Sequence, residues 1–174
     1  MTDNYHFGEI LLSYPSEREK LSAFLAEYAL RCEPDLDTAY GIFDANENLV
    51  GCGCAAASLL KCFAVSEELR GQNALGTLLS ALIENRFQRG YFDLFVITRR
   101  EKALLFSSCG LRLLAETGAL AILENRPDGP ERFAENVLSA LPPHDGKTVG
   151  AIVMNCNPFT LGHRALVEYA AAKV

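Results

Sequence analysis

The chain has 174 residues, 49% of them hydrophobic and 22% charged, which is an ordinary globular composition for one domain, or for one domain and a fragment. Its 16 basic and 22 acidic residues give a formal net charge of −6, and they are scattered without the basic stripe that a nucleic-acid partner requires. The N-terminus lacks the pattern of a signal peptide, and no apolar run reaches the roughly 18 residues of a membrane span.

Six cysteines occur without the C-x-x-C spacing of a metal or redox motif. Cys52 and Cys54 alternate with glycines in a run that is typical of a strand, and Cys62 follows closely. A metal site or a redox pair is the alternative, but the pattern favours buried thiols in a reduced protein of the cytoplasm.

The first 125 residues alternate between strand and helix patterns. Ser16 is predicted to cap a helix through Tyr28, and Asp44 begins the turn of a hairpin. Strands are predicted over 7–12, 39–43, 49–56, 59–65, 94–98, 111–114 and 119–123. A polar loop over 66–73 leads into a strongly amphipathic helix over 74–89, with Phe87 on its apolar face, and a short helix is predicted over 101–109.

The character of the chain changes after residue 124. The loop signals NRPDGPERF and PPHDGK, the second of them residues 142–147, flank a modest helix predicted over 131–141. Beyond them the sequence predicts a strand over 148–154, a polar loop and a helix from Leu161. We therefore predict a domain over 1–125, a linker with a short helix over 126–147, and the start of a second domain over 148–174.

The strand, loop and helix over 59–89 are suited to binding an anion, because a helix start leaves backbone N–H groups free. The segment LRGQNALGTLL resembles the pyrophosphate-binding segment of the GCN5-related N-acetyltransferase family, and LLFSSCGLRLL resembles the segment after its last long helix. The resemblance covers residues 7–124. It implies a mixed α/β sheet whose strand ending at Val65 is splayed from the strand over 94–98, and a site for coenzyme A or a similar pantetheine arm at Val65, Arg70, Gly71 and Gly76.

The segment departs from that family's pattern in two ways. Asn73 and Leu75 stand where the family has later glycines, and their side chains are expected to crowd a pyrophosphate. The tyrosine that often protonates the leaving thiolate falls at Phe106, which has no hydroxyl. We therefore predict an acetyltransferase fold with little acetyl transfer to amines.

The loop and helix at the end of the sequence carry a second signature. NPFTLGH, residues 157–163, resembles the (H/T)-x-G-H signature of the nucleotidyltransferase superfamily, whose fold is a Rossmann-like parallel sheet. Gly162 lets a phosphate approach the helix start, Thr160 offers a hydroxyl, and His163 offers an N–H to phosphoryl oxygens. The alternative is a helix-capping Thr160 with an incidental histidine.

Both halves in this order resemble the citrate lyase ligase family, in which segments like YFDLFVITRREKALLFSSCGL, LAILENR and VMNCNPFTLGH follow one another. The resemblance implies an AMP- and pyrophosphate-forming acid–thiol ligase that uses ATP with Mg²⁺. Acetate becomes acetyl-adenylate, and the acetyl group passes to the prosthetic thiol of the citrate lyase acyl carrier protein. Thr160 and His163 would be catalytic and would bind the ATP phosphates, with Asn157 and Gly162 shaping the ATP loop. No protein ligand for a metal is implied.

The sequence stops within the last helix pattern, so the resemblance implies only the start of the catalytic domain and a chain that is inactive in ligation. Two other functions stay open. One is a free-standing acyl-coenzyme-A-dependent N-acetyltransferase. The other is a non-catalytic module that binds coenzyme A, a phosphopantetheine arm or a carrier protein.

Overall fold

A computed structural model describes residues 4–141 and 148–173 of the chain. Contacts divide the chain into two compact units, residues 1–129 and 130–174. In order, the elements are β1 (Tyr5–Glu9), α1 (Pro15–Glu27), β2 (Thr38–Asp44), β3 (Leu49–Ala56), β4 (Leu59–Val65), α2 (Ala74–Gln88), β5 (Phe95–Arg99), α3 (Ala103–Ser108), β6 (Arg112–Glu116), β7 (Leu120–Glu124), α4 (Gly129–Ala140) and α5 (Leu161–Ala171). The polar break predicted over 142–147 lies outside the described residues.

The described strands form one seven-stranded sheet with the order β1-β2-β3-β4-β5-β7-β6. Neighbouring strands are antiparallel except β4 and β5, which are parallel. The predicted hairpin of β2 and β3 is confirmed, and its turn is held by Asp44, whose Oδ1 accepts the backbone N–H groups of Asn46 and Asn48 at 2.8 Å each. The predicted mixed sheet is therefore confirmed.

Helix α1 covers one face of the sheet over β2–β4, and Leu21, Phe24 and Leu25 on it are buried there. Ser16 does not cap this helix. The helix begins at Pro15, two residues earlier than a cap at Ser16 implies, and Tyr14 occupies the N-cap position without a side-chain hydrogen bond. Proline favours the first helical position because its φ angle is already helical and it has no N–H to satisfy.

Helix α2 covers the other face of the sheet with α3, and Leu78, Leu79 and Leu82 on it are almost completely buried. Phe87, which we expected on this face, is 42% exposed. The next core-facing position is taken by Arg86, whose guanidinium is fully buried and lies 2.6 Å from a carboxylate oxygen of Asp37. An arginine is tolerated there because the ion pair supplies the compensation that a buried charge needs.

The second unit contains α5, which begins at Leu161 as predicted, and most of α4. The predicted strand over 148–154 is wrong, because residues 148–156 have no regular secondary structure. A strand needs a neighbour for its backbone N–H and C=O groups, and the described residues of this unit provide none. No described helix is long and apolar enough to cross a membrane.

Candidate functional site

Strands β4 and β5 diverge soon after they meet. They pair only at Leu59 with Phe95 and at Leu60 with Val96, after which β4 continues to Val65 and β5 to Arg99 unpaired with one another. The predicted splay is therefore confirmed. The edge of β4 that faces β5 has no partner strand among the described residues beyond Leu60, which leaves a groove lined by backbone groups.

Strand β4 carries a β-bulge where it pairs with β3. Cys52 pairs with Ala64 and Cys54 with Lys61, so two residues of β4 oppose Gly53 alone. One of the two is Cys62, which adopts a left-handed φ of 57°. A bulge increases the local twist and bends the strand that carries it, here at the point where β4 leaves β5.

An aromatic pair packs beside the splay on the face covered by α2 and α3. The Phe63 ring meets Phe106 edge-on, with the ring centroids 5.2 Å apart. Gly53 makes room for Phe63, because a Cβ there would lie 2.7 Å from the phenyl ring. Phe106 is 4% exposed and belongs to the core cluster, so a buried hydrocarbon stands where the resembling family often has a tyrosine.

The loop from β4 to α2 carries the residues predicted to bind a coenzyme-A-like ligand. Gly71 has a φ of 80° and no heavy atom within 4 Å of where a Cβ would stand, so the backbone is open to a ligand there. Arg70 is exposed and forms an ion pair of 3.1 Å with Glu67. Val65 is half-buried and closes β4 opposite Gly51. Val65 therefore ends β4, and Arg70 and Gly71 lie in the loop that follows it; that they bind a ligand stays a prediction.

The start of α2 is partly filled by a side chain. Asn73 adopts a left-handed φ of 59°, and its carboxamide oxygen lies where a Cβ on Gly76 would stand. Gly76 therefore accommodates Asn73 in this structure. Leu75 packs against the core instead, so the predicted crowding of this anion seat comes from Asn73 alone.

The start of α5 brings together three of the residues predicted to bind ATP. The backbone N–H of Thr160 donates to Nδ1 of His163 at 3.0 Å, and the Thr160 hydroxyl lies 2.9 Å from the same nitrogen. This is the arrangement of a capping box in which the imidazole replaces the usual Glu or Gln. Because Nδ1 accepts the backbone N–H, the proton of a neutral ring is on Nε2, which leaves that N–H available to a ligand.

Gly162 lies between these two residues in the first turn of α5. A Cβ at Gly162 would meet only the Thr160 hydroxyl, at 3.7 Å, so packing within the chain does not require glycine here. Alanine would favour the helix by about 1 kcal/mol. Asn157 is exposed in the loop before the helix, and its backbone N–H donates to Oδ1 of Asn155 at 3.3 Å.

The cysteines of the first unit are free thiols, as is Cys156 in the second unit. A hydrogen bond to Cys52 raises the pKa of Cys54, and a hydrogen bond to Cys54 together with burial raises that of Cys62. These thiols are protonated near neutral pH and poor nucleophiles. Within the described ranges, no group of three or more His, Cys, Asp or Glu side chains is arranged to hold a metal.

Similarity to known proteins extends over nearly the whole chain. The family model of the citrate lyase ligase C-terminal domain matches residues 149–174. The chain is 38% identical over 164 residues to the citrate (pro-3S)-lyase ligase of Klebsiella pneumoniae, covering 94% of this chain and 47% of that protein. It is 36% identical over 162 residues to the Escherichia coli K12 ligase, covering 91% and 45%. The resemblance to citrate lyase ligase is confirmed, and the chain spans about half the length of these curated relatives.

Solved structures share the fold of the first unit. An aminoglycoside 6'-N-acetyltransferase complexed with coenzyme A has a TM-score of 0.58 at 14% identity, covering 71% of this chain and 99% of that one. A GNAT-family acetyltransferase from Staphylococcus aureus Mu50 has a TM-score of 0.54 at 15% identity, covering 70% and 99%. The predicted GCN5-related N-acetyltransferase fold is therefore confirmed; the predicted Rossmann-like sheet is not seen in the described residues.

Proposed function

We propose that this chain serves a citrate lyase ligase reaction, in which ATP and acetate are used to acetylate the prosthetic thiol of the citrate lyase acyl carrier protein. The observation that carries the proposal is the start of α5. There Thr160, Gly162 and His163 lie together in the first turn of a helix, inside the segment that matches the ligase family model, and this supports an anion site. The first step joins an acetate oxygen to the α-phosphorus of ATP and releases pyrophosphate. The thiolate then attacks the acetyl carbonyl, and AMP leaves.

The residues of α5 would act on the phosphates of ATP. The helix start offers backbone N–H groups and the positive end of the helix dipole. Nε2–H of His163 would donate to a phosphoryl oxygen as negative charge accumulates on it, with Thr160 holding the ring in that tautomer. Gly162 would let a phosphate approach the backbone, and Asn157 would shape the loop. Mg²⁺ would arrive with ATP as part of the substrate.

The first unit would bind the pantetheine-like arm of the carrier protein. An arm with amide groups can hydrogen-bond to the unpaired edge of β4 as an added strand does. The phosphate end of the arm would contact Val65, Arg70, Gly71 and Gly76, which lie at the end of β4, in the loop after it and in the first turn of α2. The absence of a hydroxyl on Phe106 favours binding over acetyl transfer from coenzyme A. The free thiols of the described chain suit a reducing cytoplasm.

Substitutions of His163 test the catalytic part of the proposal. The protein to use is a fusion of this chain to the remaining half of the Klebsiella pneumoniae relative, because this chain covers only 47% of that protein. His163→Ala removes both the cap and the donor. His163→Glu keeps an acceptor for the Thr160 N–H, as glutamate does in a capping box, but lacks the N–H donor.

Both variants should release pyrophosphate from ATP and acetate about 100-fold or more slowly than the unsubstituted fusion. Only His163→Ala should also lower the melting temperature. Arg164→Gln is the matched control, because Arg164 is the next exposed side chain and pairs only with Glu168 in its own helix. If His163→Glu releases pyrophosphate as fast as the control, His163 only caps the helix and does not donate to the phosphates.

A non-catalytic module that binds coenzyme A is the second candidate, supported by the same groove and by Phe106. Thermal shifts with coenzyme A, acetyl-coenzyme A and ATP separate the two functions. A ligand at about 100 times its Kd stabilises a protein by about 2.7 kcal/mol, which such a scan detects easily. Stabilisation by coenzyme A, without any ligation by the fusion protein, would favour the module.

A further inference from the structure

A basic segment follows β5 directly. Arg99 ends the strand, and Arg100 and Lys102 lie in the single 3-10 turn that follows it. All three side chains are exposed, in a chain whose formal net charge is −6. The acidic groups facing them are Glu101 and Glu116, so the local surface is net positive.

This segment borders the groove between β4 and β5. The two strands are parallel, so their carboxyl ends lie at the same edge of the sheet. The loop after β4, with Glu67 and Glu68, therefore flanks one side of the groove opening, and residues 99–102 flank the other. A molecule that inserts an arm into the groove must approach across one of these two sides.

The surface has a defined shape and a rigid centre. A depression of about 690 Å³ is lined by residues 99–101 and 118–120. Arg100 is fixed there, because its guanidinium makes hydrogen bonds of 3.2 and 3.0 Å to Glu116 and its backbone N–H donates to Ala119 at 2.9 Å. Arg99 has only a loose ion pair of 3.9 Å, so its guanidinium is available to a partner.

Two exposed leucines accompany the charges, since Leu104 follows Lys102 by two residues and Leu120 lines the depression. Leu104 on α3 is 81% exposed, and Leu120 beside the depression is 49% exposed. A combination of arginines with apolar side chains is typical of protein interfaces, where arginine is enriched. A free phosphate ligand would use the guanidinium groups but would gain nothing from the leucines.

We propose that Arg99, Arg100 and Lys102, with Leu104 and Leu120, form the docking surface for an acidic face of the carrier protein, next to the groove that takes its arm. The inference rests on the proposed function, because it assumes that a carrier protein delivers the arm. Opposite charges would guide the encounter, and the leucines would add contact that salt does not screen.

The test measures the affinity of this chain for the citrate lyase carrier protein with its prosthetic arm, by calorimetric titration at low ionic strength and at about 0.5 M salt. The double variant Arg99→Glu/Lys102→Glu should weaken binding about 10-fold at low ionic strength and much less at high salt. Lys20→Glu/Arg31→Glu is the control with an equal change in net charge, at exposed positions on and beside α1. Leu104→Ala should weaken binding equally at both salt concentrations.

Each possible outcome decides a separate question. Equal weakening by both double variants would overturn the docking surface in favour of a general effect of net charge. Unchanged binding in Arg99→Glu/Lys102→Glu and in Leu104→Ala would overturn it outright. If that double variant instead loses affinity for ADP in a parallel titration and keeps its affinity for the carrier protein, the surface is a phosphate site and the proposal is wrong. If the unsubstituted chain does not bind the carrier protein at all, the proposed function fails first and the docking surface fails with it.

Discussion

Removing the side chain of Asn73 should open the start of α2 to a diphosphate. The Asn73 carboxamide oxygen lies against Gly76, over the free N–H groups of a 15-residue helix. Glycine adopts the left-handed φ of 59° without steric cost, so Asn73→Gly should keep the fold. The hydrogen bond from the Thr77 hydroxyl ends on the backbone oxygen of residue 73 and is unaffected.

The expected gain follows from the strength of helix-terminus interactions. An anion at an exposed helix N-terminus is stabilised by about 0.3–1 kcal/mol, and by up to about 2 kcal/mol when partly buried. Glu67 and Glu68 lie in the preceding turn and repel an anion, so a gain of about 1 kcal/mol is reasonable. The Kd for coenzyme A should therefore fall about fivefold. The Kd for pantetheine, which has no diphosphate, should not change.

Titration calorimetry with coenzyme A and with pantetheine measures both values. The matched control is the double variant Asn73→Gly/Gly76→Ala, whose new Cβ occupies the space that the asparagine vacated. It should return the affinity for coenzyme A to the starting value. An equal gain for pantetheine, or a gain that survives in the double variant, would refute the argument that Asn73 blocks an anion seat.

Three further predictions concern the other parts of the chain. Gly162→Ala in the fusion should weaken ATP binding about 10-fold without lowering the melting temperature, since alanine favours a helix. Unchanged ATP affinity would show that a phosphate does not need glycine at this position. With acetyl-coenzyme A and simple amines the chain should show only background turnover. Phe106 has no acidic group, and general acid catalysis typically raises the rate by about 10²- to 10⁴-fold. Robust turnover would contradict this prediction. Asp37→Ala should lower the free energy of unfolding by about 3 kcal/mol by leaving Arg86 buried and unpaired. Burial opposes ionisation of Asp37, but hydrogen bonds from the Ala57 N–H and from Arg86 outweigh it and lower its pKa. This stabilisation is present above the ordinary carboxyl pKa of about 4 and is lost as the pH falls through the lowered value, so Asp37→Asn should unfold with a weaker dependence on acid pH.

The local elements could be predicted because their patterns are strong. The leucines of α2 recur at helical spacing, and the β2–β3 hairpin has a polar turn between two apolar runs. The boundaries of the elements that were found came within three residues of those predicted, with the largest difference at the end of β1. The expected splay also depended on a resemblance, because nothing in the sequence of β4 alone reveals that Cys62 forms a bulge.

Other features depend on partners far away in the sequence. Arg86 can be buried only because Asp37, 49 residues earlier, lies beneath it. The strand expected before the ATP loop needed a neighbouring strand that the described residues do not supply. At the candidate site, the residue types over 157–163 predicted a phosphate loop. The hydrogen bond that fixes the tautomer of His163 depends on the observed backbone geometry of Thr160 and could not be predicted.

We propose that the acetyl group reaches the carrier protein from acetate and ATP, and that the acetyltransferase-like unit binds the arm without supplying the acetyl group. Intact-mass measurement of the carrier protein tests this directly, using the fusion of this chain to the remaining half of the Klebsiella pneumoniae relative. An acetyl thioester should form on the carrier protein only when acetate and ATP are both present. Acetylation of the carrier protein from acetyl-coenzyme A in the absence of ATP would contradict it.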